Sequence, residues 1–229
     1  MPEHQSQWHR EVLPADSTRA AGELASRSVL EDFYLAGGTG LALHFGHRRS
    51  VDLDLFRETE FASAELRDRL RCLEALRKME TAPGTVRLQL HGVKVSFLHY
   101  PYPLLFPLRQ FDHIAVADSR DIACMKLDAI ANRGSRRDFV DLCLAAKTYG
   151  LREIFDWFAT KYASVSYSRT HLFKALAYFE DAEQEPMPDM LVPLEWTGVK
   201  QYFLSQVTPV AAPLIVAATK TPRGSIRGL

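Results

Sequence analysis

Residues 35–56 read LAGGTGLALHFGHRRSVDLDLF, and the fold turns on how this stretch is parsed. The run from Phe33 to Ala36 is apolar and short, as for a buried strand, and Gly37-Gly38-Thr39 is a turn. Leu41–Phe45 has the make-up of a short helix, and Gly-His-Arg-Arg-Ser, Gly46 to Ser50, is a basic loop. In Val51–Phe56 apolar and acidic residues then alternate. Successive strand side chains point to opposite faces, which predicts Val51, Leu53 and Leu55 on one face and Asp52 and Asp54 on the other.

Two carboxylates at i and i+2 on a strand repel each other and gain nothing from a core, so a cation is their natural compensation. Magnesium suits them, because it takes oxygen ligands and is commonly held by one or two carboxylates together with substrate phosphates. The Gly37-Gly38-Thr39 turn, between strand and helix, presents backbone amides at a helix N-terminus, a place for phosphate. Taken singly, two outward acids are usually a solvated edge and Gly-Gly is usually only a turn. Their order along one stretch is what points to nucleoside triphosphate chemistry.

The pattern GG-T, GHRRS, D-L-D-L resembles the DNA polymerase β-like nucleotidyltransferases, and its wording here resembles the AbiEii/AbiGii toxin family. A second stretch, Asp121 to Leu144, reads DIACMKLDAIANRGSRRDFVDLCL and resembles that family's downstream block, with matching positions at Lys126, Asp128, Arg133, Arg137, Asp138 and Asp141. The resemblance implies transfer of a nucleoside monophosphate from an NTP to a hydroxyl, with Mg2+ or Mn2+ held by Asp52 and Asp54. It implies a catalytic set of Asp52, Asp54, Lys126 and Asp138. Gly37, Gly38, Thr39, Arg48, Ser50, Lys126 and Arg137 are the implied nucleotide contacts. It further implies an RNA acceptor, tRNA foremost, a cognate antitoxin protein as partner, and a role as toxin in a toxin-antitoxin or abortive-infection system.

One departure stands out. Such enzymes commonly carry a third carboxylate on a strand beside the D-x-D pair, and the matching position here is Ser96. Slow catalysis is the expectation, and a nucleotide-binding pseudoenzyme is one alternative reading. An aminoglycoside-type small-molecule nucleotidyltransferase, which shares the first motif, is the other.

Composition bounds the rest. With 229 residues, 47% of them hydrophobic, the chain can bury a sizeable core. Lys+Arg and Asp+Glu are equal at 28 each, so any nucleic-acid contact must come from local patches. Cys72, Cys124 and Cys143 are too scattered for a zinc site or a disulfide framework and read as small hydrophobes. No apolar leader or membrane-length apolar run occurs, which predicts a cytoplasmic protein without membrane contact. Walker A, Gly-x-Ser-x-Gly and His-Glu-x-x-His motifs are absent.

Outward from the motif, residues 1–14 read as a loose tail and Thr18–Glu31 as a helix. Ser63 to Met79 reads as one helix with a leucine stripe, and Val86–Leu90 and Val93–Leu98 as a hairpin turning at His91-Gly92. Tyr100–Leu108 is broken by prolines, and Ile114–Val116 is a short strand. Asp118 is placed to cap a helix ending at Gly134, and Ser135-x-x-Asp138 resembles a capping box, a structural role competing with the catalytic one for Asp138. Helices are expected at Leu151–Tyr162, Thr170–Asp181 and Leu194–Val207, followed by a flexible end from Lys220. His44 and His47 are expected at a helix end or in solvent. The resulting fold class is α/β followed by α: a polymerase β-like mixed sheet over residues 1–117, and a helical domain over 118–229 that closes the nucleotide site.

Overall fold

The computed structural model describes residues 8–220. Its frame is a seven-stranded mixed sheet in the order β3-β4-β5-β2-β1-β7-β6. The strands are β1 (Tyr34–Leu35), β2 (Leu53–Arg57), β3 (Leu76–Ala82), β4 (Thr85–Leu90), β5 (Val93–His99), β6 (Arg109–Phe111) and β7 (Ile114–Val116). Central β2 runs antiparallel to β1 and parallel to β5, and β1 runs parallel to β7. Alternation decides the faces. Leu53, Leu55, Val86, Leu88, Leu90, Val93, Val95 and Phe97 are buried together with Leu24 of α1 (Ala15–Ser26) and with Leu66 and Leu70 of α3 (Ser63–Leu70).

The helical half follows as α4 (Ser119–Asn132), α5 (Arg136–Tyr149), α6 (Leu151–Lys161), α7 (Arg169–Leu176), α8 (Glu180–Glu183) and α9 (Trp196–Lys220). Caps fall where the sequence puts them. The Asp118 carboxylate accepts from the Arg120 amide at 2.9 Å, and Gly134, with φ +58°, follows the end of α4. The Ser135 hydroxyl accepts from the Asp138 amide and opens α5. A second large core forms around Phe139, Phe155, Phe158 and Phe203, and a smaller one, with Tyr34, Leu41, Ile122 and Met125, lies where the halves meet. Among the described residues no helix is long and apolar enough to cross a membrane.

Four expectations are corrected. Residues 8–14 are not a loose tail: Val12 is fully buried, its carbonyl accepts from the Ser50 amide, and the Trp8 indole donates to the Gln110 carbonyl. The expected helix through Met79 ends at Leu70, and Leu76–Ala82 is instead the edge strand β3, paired to β4. Leucines at three- and four-residue spacing fit either reading where a short helix turns into a strand, and partners on β4 decide it. Val51 does not share the core face, being 47% exposed, because β2 begins only at Leu53. His47 is buried rather than solvated. The expected flexible end lies, beyond Lys220, outside the described residues.

The proline-broken bridge is pinned by a buried ion pair. Lys161 donates to Asp121 Oδ1 at 2.8 Å and to the Pro103 carbonyl at 2.7 Å, while Asp121 accepts from the amides of Leu105 and Phe106. Both charged side chains are fully buried. Removing one partner of such a pair leaves the other charge uncompensated in a dry site, at a cost of ~3–5 kcal/mol. Lys161→Met is therefore expected to lower the unfolding free energy by about that amount, read from urea denaturation. A change near zero would show that the pair does not hold the bridge.

Candidate active site

The glycine turn opens helix α2 (Gly37–Phe45), whose N-cap residue Ala36 supplies no side-chain cap. Both glycines are needed sterically. Gly37 sits at φ +63°, and a Cβ there would meet Asp54 Oδ2 at 3.0 Å; a Cβ on Gly38 would come within 2.2 Å of Arg48 Nη2. The turn thus lies directly against the aspartate strand and the basic loop. The Thr39 hydroxyl bonds Ser50 Oγ at 2.8 Å and donates to the Asp52 carbonyl, so it ties the turn to the loop.

Asp52 and Asp54 face one cavity of about 520 Å3, together with Gly37, Gly38, Thr39, Arg48 and Ser50. Burial pushes the Asp54 carboxyl above its ordinary range, and neighbouring Asp52 adds to this, while a hydrogen bond from Ser96 and the charge of Lys126 pull the other way. Asp54 and Ser96 are in register on parallel strands β2 and β5. Ser96 therefore occupies the place beside the pair where the resemblance led one to expect a carboxylate.

From the helical half come Lys126, Arg133, Arg137 and Asp138, which line the same cavity. Lys126 Nζ reaches Asp138 Oδ1 at 2.9 Å and Asp141 Oδ2 at 2.7 Å. Asp141 also accepts from Arg48 Nε at 2.7 Å, from Arg48 Nη2 at 3.0 Å, and is bonded to His47 Nε2 at 2.8 Å. Burial works against ionising Asp141, but Lys126 and Arg48 outweigh it and hold its carboxyl well below the usual range. Lys126 is likewise raised: burial opposes its charge and the two aspartates overcome that. Asp138 bonds the Ser135 hydroxyl at 2.7 Å and Arg133 Nε at 2.8 Å and also lines the cavity. Arg137 is exposed there. Among the described residues no group of three or more His, Cys, Asp or Glu forms a metal cage. Two carboxylates suit a hard cation whose remaining ligands are phosphate oxygens and water, so the donor set fits magnesium or manganese completed by a triphosphate.

Sequence reasoning missed the rest of the wall. Phe56, two residues beyond Asp54 and so on its face, lines the cavity, as do Leu98, Tyr100 and Met125. Arg87 also lines it, as does Asp128, which the sequence had marked as a matching position of the downstream block. Burial raises the Asp128 carboxyl, partly offset by a hydrogen bond from Asn132. Counting by twos from Asp54 would have found Phe56; Arg87 needs the β4–β5 register, in which it faces Ser96.

Residues 22–103, which hold the glycine turn and both aspartates, match the family model described as nucleotidyl transferase AbiEii toxin, type IV toxin-antitoxin system. An uncharacterized protein of Aquifex aeolicus is 37% identical over 201 residues, covering 85% of this chain and 96% of that protein. The chain belongs to the AbiEii nucleotidyltransferase toxin family. It is accordingly a nucleotidyltransferase. The fold of this AbiEii chain also resembles the structure of MenT4, a nucleotidyltransferase toxin from Mycobacterium tuberculosis, with a TM-score of 0.50 and 17% identity over 90% of this chain and 89% of that one. The structure of JHP933 from Helicobacter pylori aligns over 92% of this chain and 100% of that chain with a TM-score of 0.45 and 14% identity.

In this AbiEii chain the Asp141 cluster is the testable structural element. Asp141→Asn leaves Arg48 without its buried counter-charge and is expected to cost ~3–5 kcal/mol, measured by denaturant unfolding. Asp138 contributes to the acid limb, its carboxyl being lowered to about 2 because Lys126 and Arg133 outweigh its burial. A depressed folded pKa contributes stability that is full above the unfolded value of ~3.9 and is lost as pH falls through the folded one. Asp138→Asn should therefore flatten the loss of stability between those two values; an unaltered acid limb would assign it to other carboxylates.

Proposed function

We propose that this AbiEii-family nucleotidyltransferase transfers a nucleoside monophosphate from an NTP to an RNA hydroxyl, tRNA foremost, with release of pyrophosphate. The observation that carries this reading is the convergence of Asp52, Asp54, the glycine turn, Arg48 and Lys126 on one cavity. The unshared amides at the start of α2 and the charges of Lys126, Arg48 and Arg137 supply contacts for the triphosphate. Asp52 and Asp54 would hold magnesium or manganese, which when bound neutralises phosphate charge and favours attack and departure at phosphorus. Asp138 orients Lys126, and Ser50 and Thr39 fix the turn. The α/β part, residues 1–117, carries the aspartates, and the helical part, 118–229, closes the triphosphate site. A cognate antitoxin protein and a cytoplasmic setting complete the proposal.

Ser96 supports a second reading, a nucleotide-binding regulator without efficient chemistry, because the third carboxylate is missing at the place in register with Asp54. Incubation with labelled NTPs, magnesium and total RNA separates the readings: transfer with pyrophosphate release supports the first, and binding alone the second. Aminoglycosides in the acceptor panel test the small-molecule alternative. Asp52→Asn and Asp54→Asn should abolish transfer with the fold intact, and retention of wild-type activity in both would overturn the assignment. Lys126→Ala should weaken NTP binding by ~1–3 kcal/mol, the scale of one charge-assisted hydrogen bond.

General-base help is worth ~10²–10⁴ in rate, so a wild-type enzyme lacking it should be slow and Ser96→Asp should accelerate transfer. A folded Ser96→Asp protein with no gain in rate or metal affinity would mean that the serine is not a vacated base position.

A further inference from the structure

The polar face of β3–β4–β5 continues the wall of the cavity outward and is basic. Sheet register gives two rows across it. One runs Asp54, Ser96, Arg87, Glu80 from β2 to β3, and the next runs Lys94, Gln89, Arg77 from β5 to β3. Arg77, Arg87 and Lys94 are exposed, while the alternating residues Val86, Leu88, Val93 and Val95 are buried on the opposite face. Among the described residues neither Arg87 nor Lys94 has an ion-pair or hydrogen-bond partner, and the Arg77 guanidinium bonds only the carbonyl of Leu76.

The ordinary reason for charge on strands is protection of a sheet edge. That accounts for Arg77 on edge strand β3. It does not account for Arg87 and Lys94, which lie on interior strands β4 and β5 with neighbours on both sides. Arg87 moreover lines the cavity that holds Asp52 and Asp54. At a strand spacing of ~4.8 Å it stands about 10 Å of sheet from Asp54, one to two phosphate steps away.

We propose that this face is the docking track for the RNA acceptor, held through its phosphates by Arg87, Lys94 and Arg77, with the reacting hydroxyl delivered over Ser96 to Asp54. The inference rests on the transferase reading above and adds the acceptor's path to it. With serine at position 96 no acid faces Arg87 from β5, and although Glu80 is in register with it on β3, the two form no ion pair among the described residues. Charge complementarity selects a polyanion here, and continuity with the cavity selects a strand that ends there.

The test is binding of a labelled single-stranded RNA of roughly 20 nucleotides across a salt series. Each cation removed from the track should reduce the log–log slope by ~0.7, so the folded Arg77→Ala/Arg87→Ala/Lys94→Ala protein should bind at least about tenfold more weakly with a slope smaller by ~2. NTP binding should be unchanged in the Arg77→Ala/Lys94→Ala protein, whose altered residues do not line the cavity. Arg69→Ala/Arg71→Ala, at the end of α3 and its C-cap on the opposite face, should leave RNA binding as in the wild type. An unchanged slope in the triple variant, or an equal weakening in the α3 variant, overturns the track. If the triple variant does not fold, photocrosslinking of thiouridine RNA to the wild-type protein decides: adducts within residues 77–94 support the proposal, and adducts confined elsewhere overturn it. Failure of the transferase reading shows separately, as transfer that survives Asp54→Asn while the RNA salt slope still depends on the three cations.

Discussion

A single buried carboxylate, Asp141, sets the arrangement on which the site depends. It has no exposed surface, and it is bonded by His47 and Arg48 from the loop after α2 and by Lys126 from α4. A lone ion so placed would be costly, and three partners in hydrogen-bond contact compensate for its lost hydration. The geometric consequence matters more than the energy. Arg48 is held where its guanidinium backs the Gly38 turn, and Lys126 is held between two aspartates at the cavity wall. Loop, turn and helix are therefore positioned by one set of bonds, although they are far apart along the chain.

The cavity is lined by two kinds of group. The glycine turn, Arg48 and Lys126 are polar, and Phe56, Leu98, Tyr100 and Met125 bring apolar or aromatic surface. Asp54 and Phe56 share a face of β2 at a spacing of two, so one strand contributes to both.

The sequence was most legible where the pattern is local and chemically unusual. The alternation Asp52–Leu53–Asp54–Leu55 and the glycine turn were readable because strand period and backbone freedom leave few alternatives. The caps at Asp118 and Ser135 were readable for the same reason. What could not be read depends on long-range pairing: Leu76–Ala82 looks helical until β4 is beside it, and His47 looks like a loop residue until Asp141 buries against it. The stretch 8–12 carries no periodicity at all and is ordered by the bonds of Trp8 to Gln110 and of Val12 to Ser50. Arg87 falls in this class too, since register rather than spacing brings it in.

The parallel pairing of β1 with β7 and the reach of Asp141 have a consequence for synthesis on the ribosome. Residues 22–103, the stretch that matches the family model, include both aspartates and the glycine turn, yet β1 still lacks its neighbour β7, and Arg48 and His47 lack their partner Asp141. Those elements emerge only with Ile114–Val116 and with α5. A nascent chain stalled before α5 would contain the aspartate strand and Lys126 but not Asp138 and Asp141, the carboxylates that hold Lys126 and Arg48 in place, so the site is assembled only once more than half of the chain has been made.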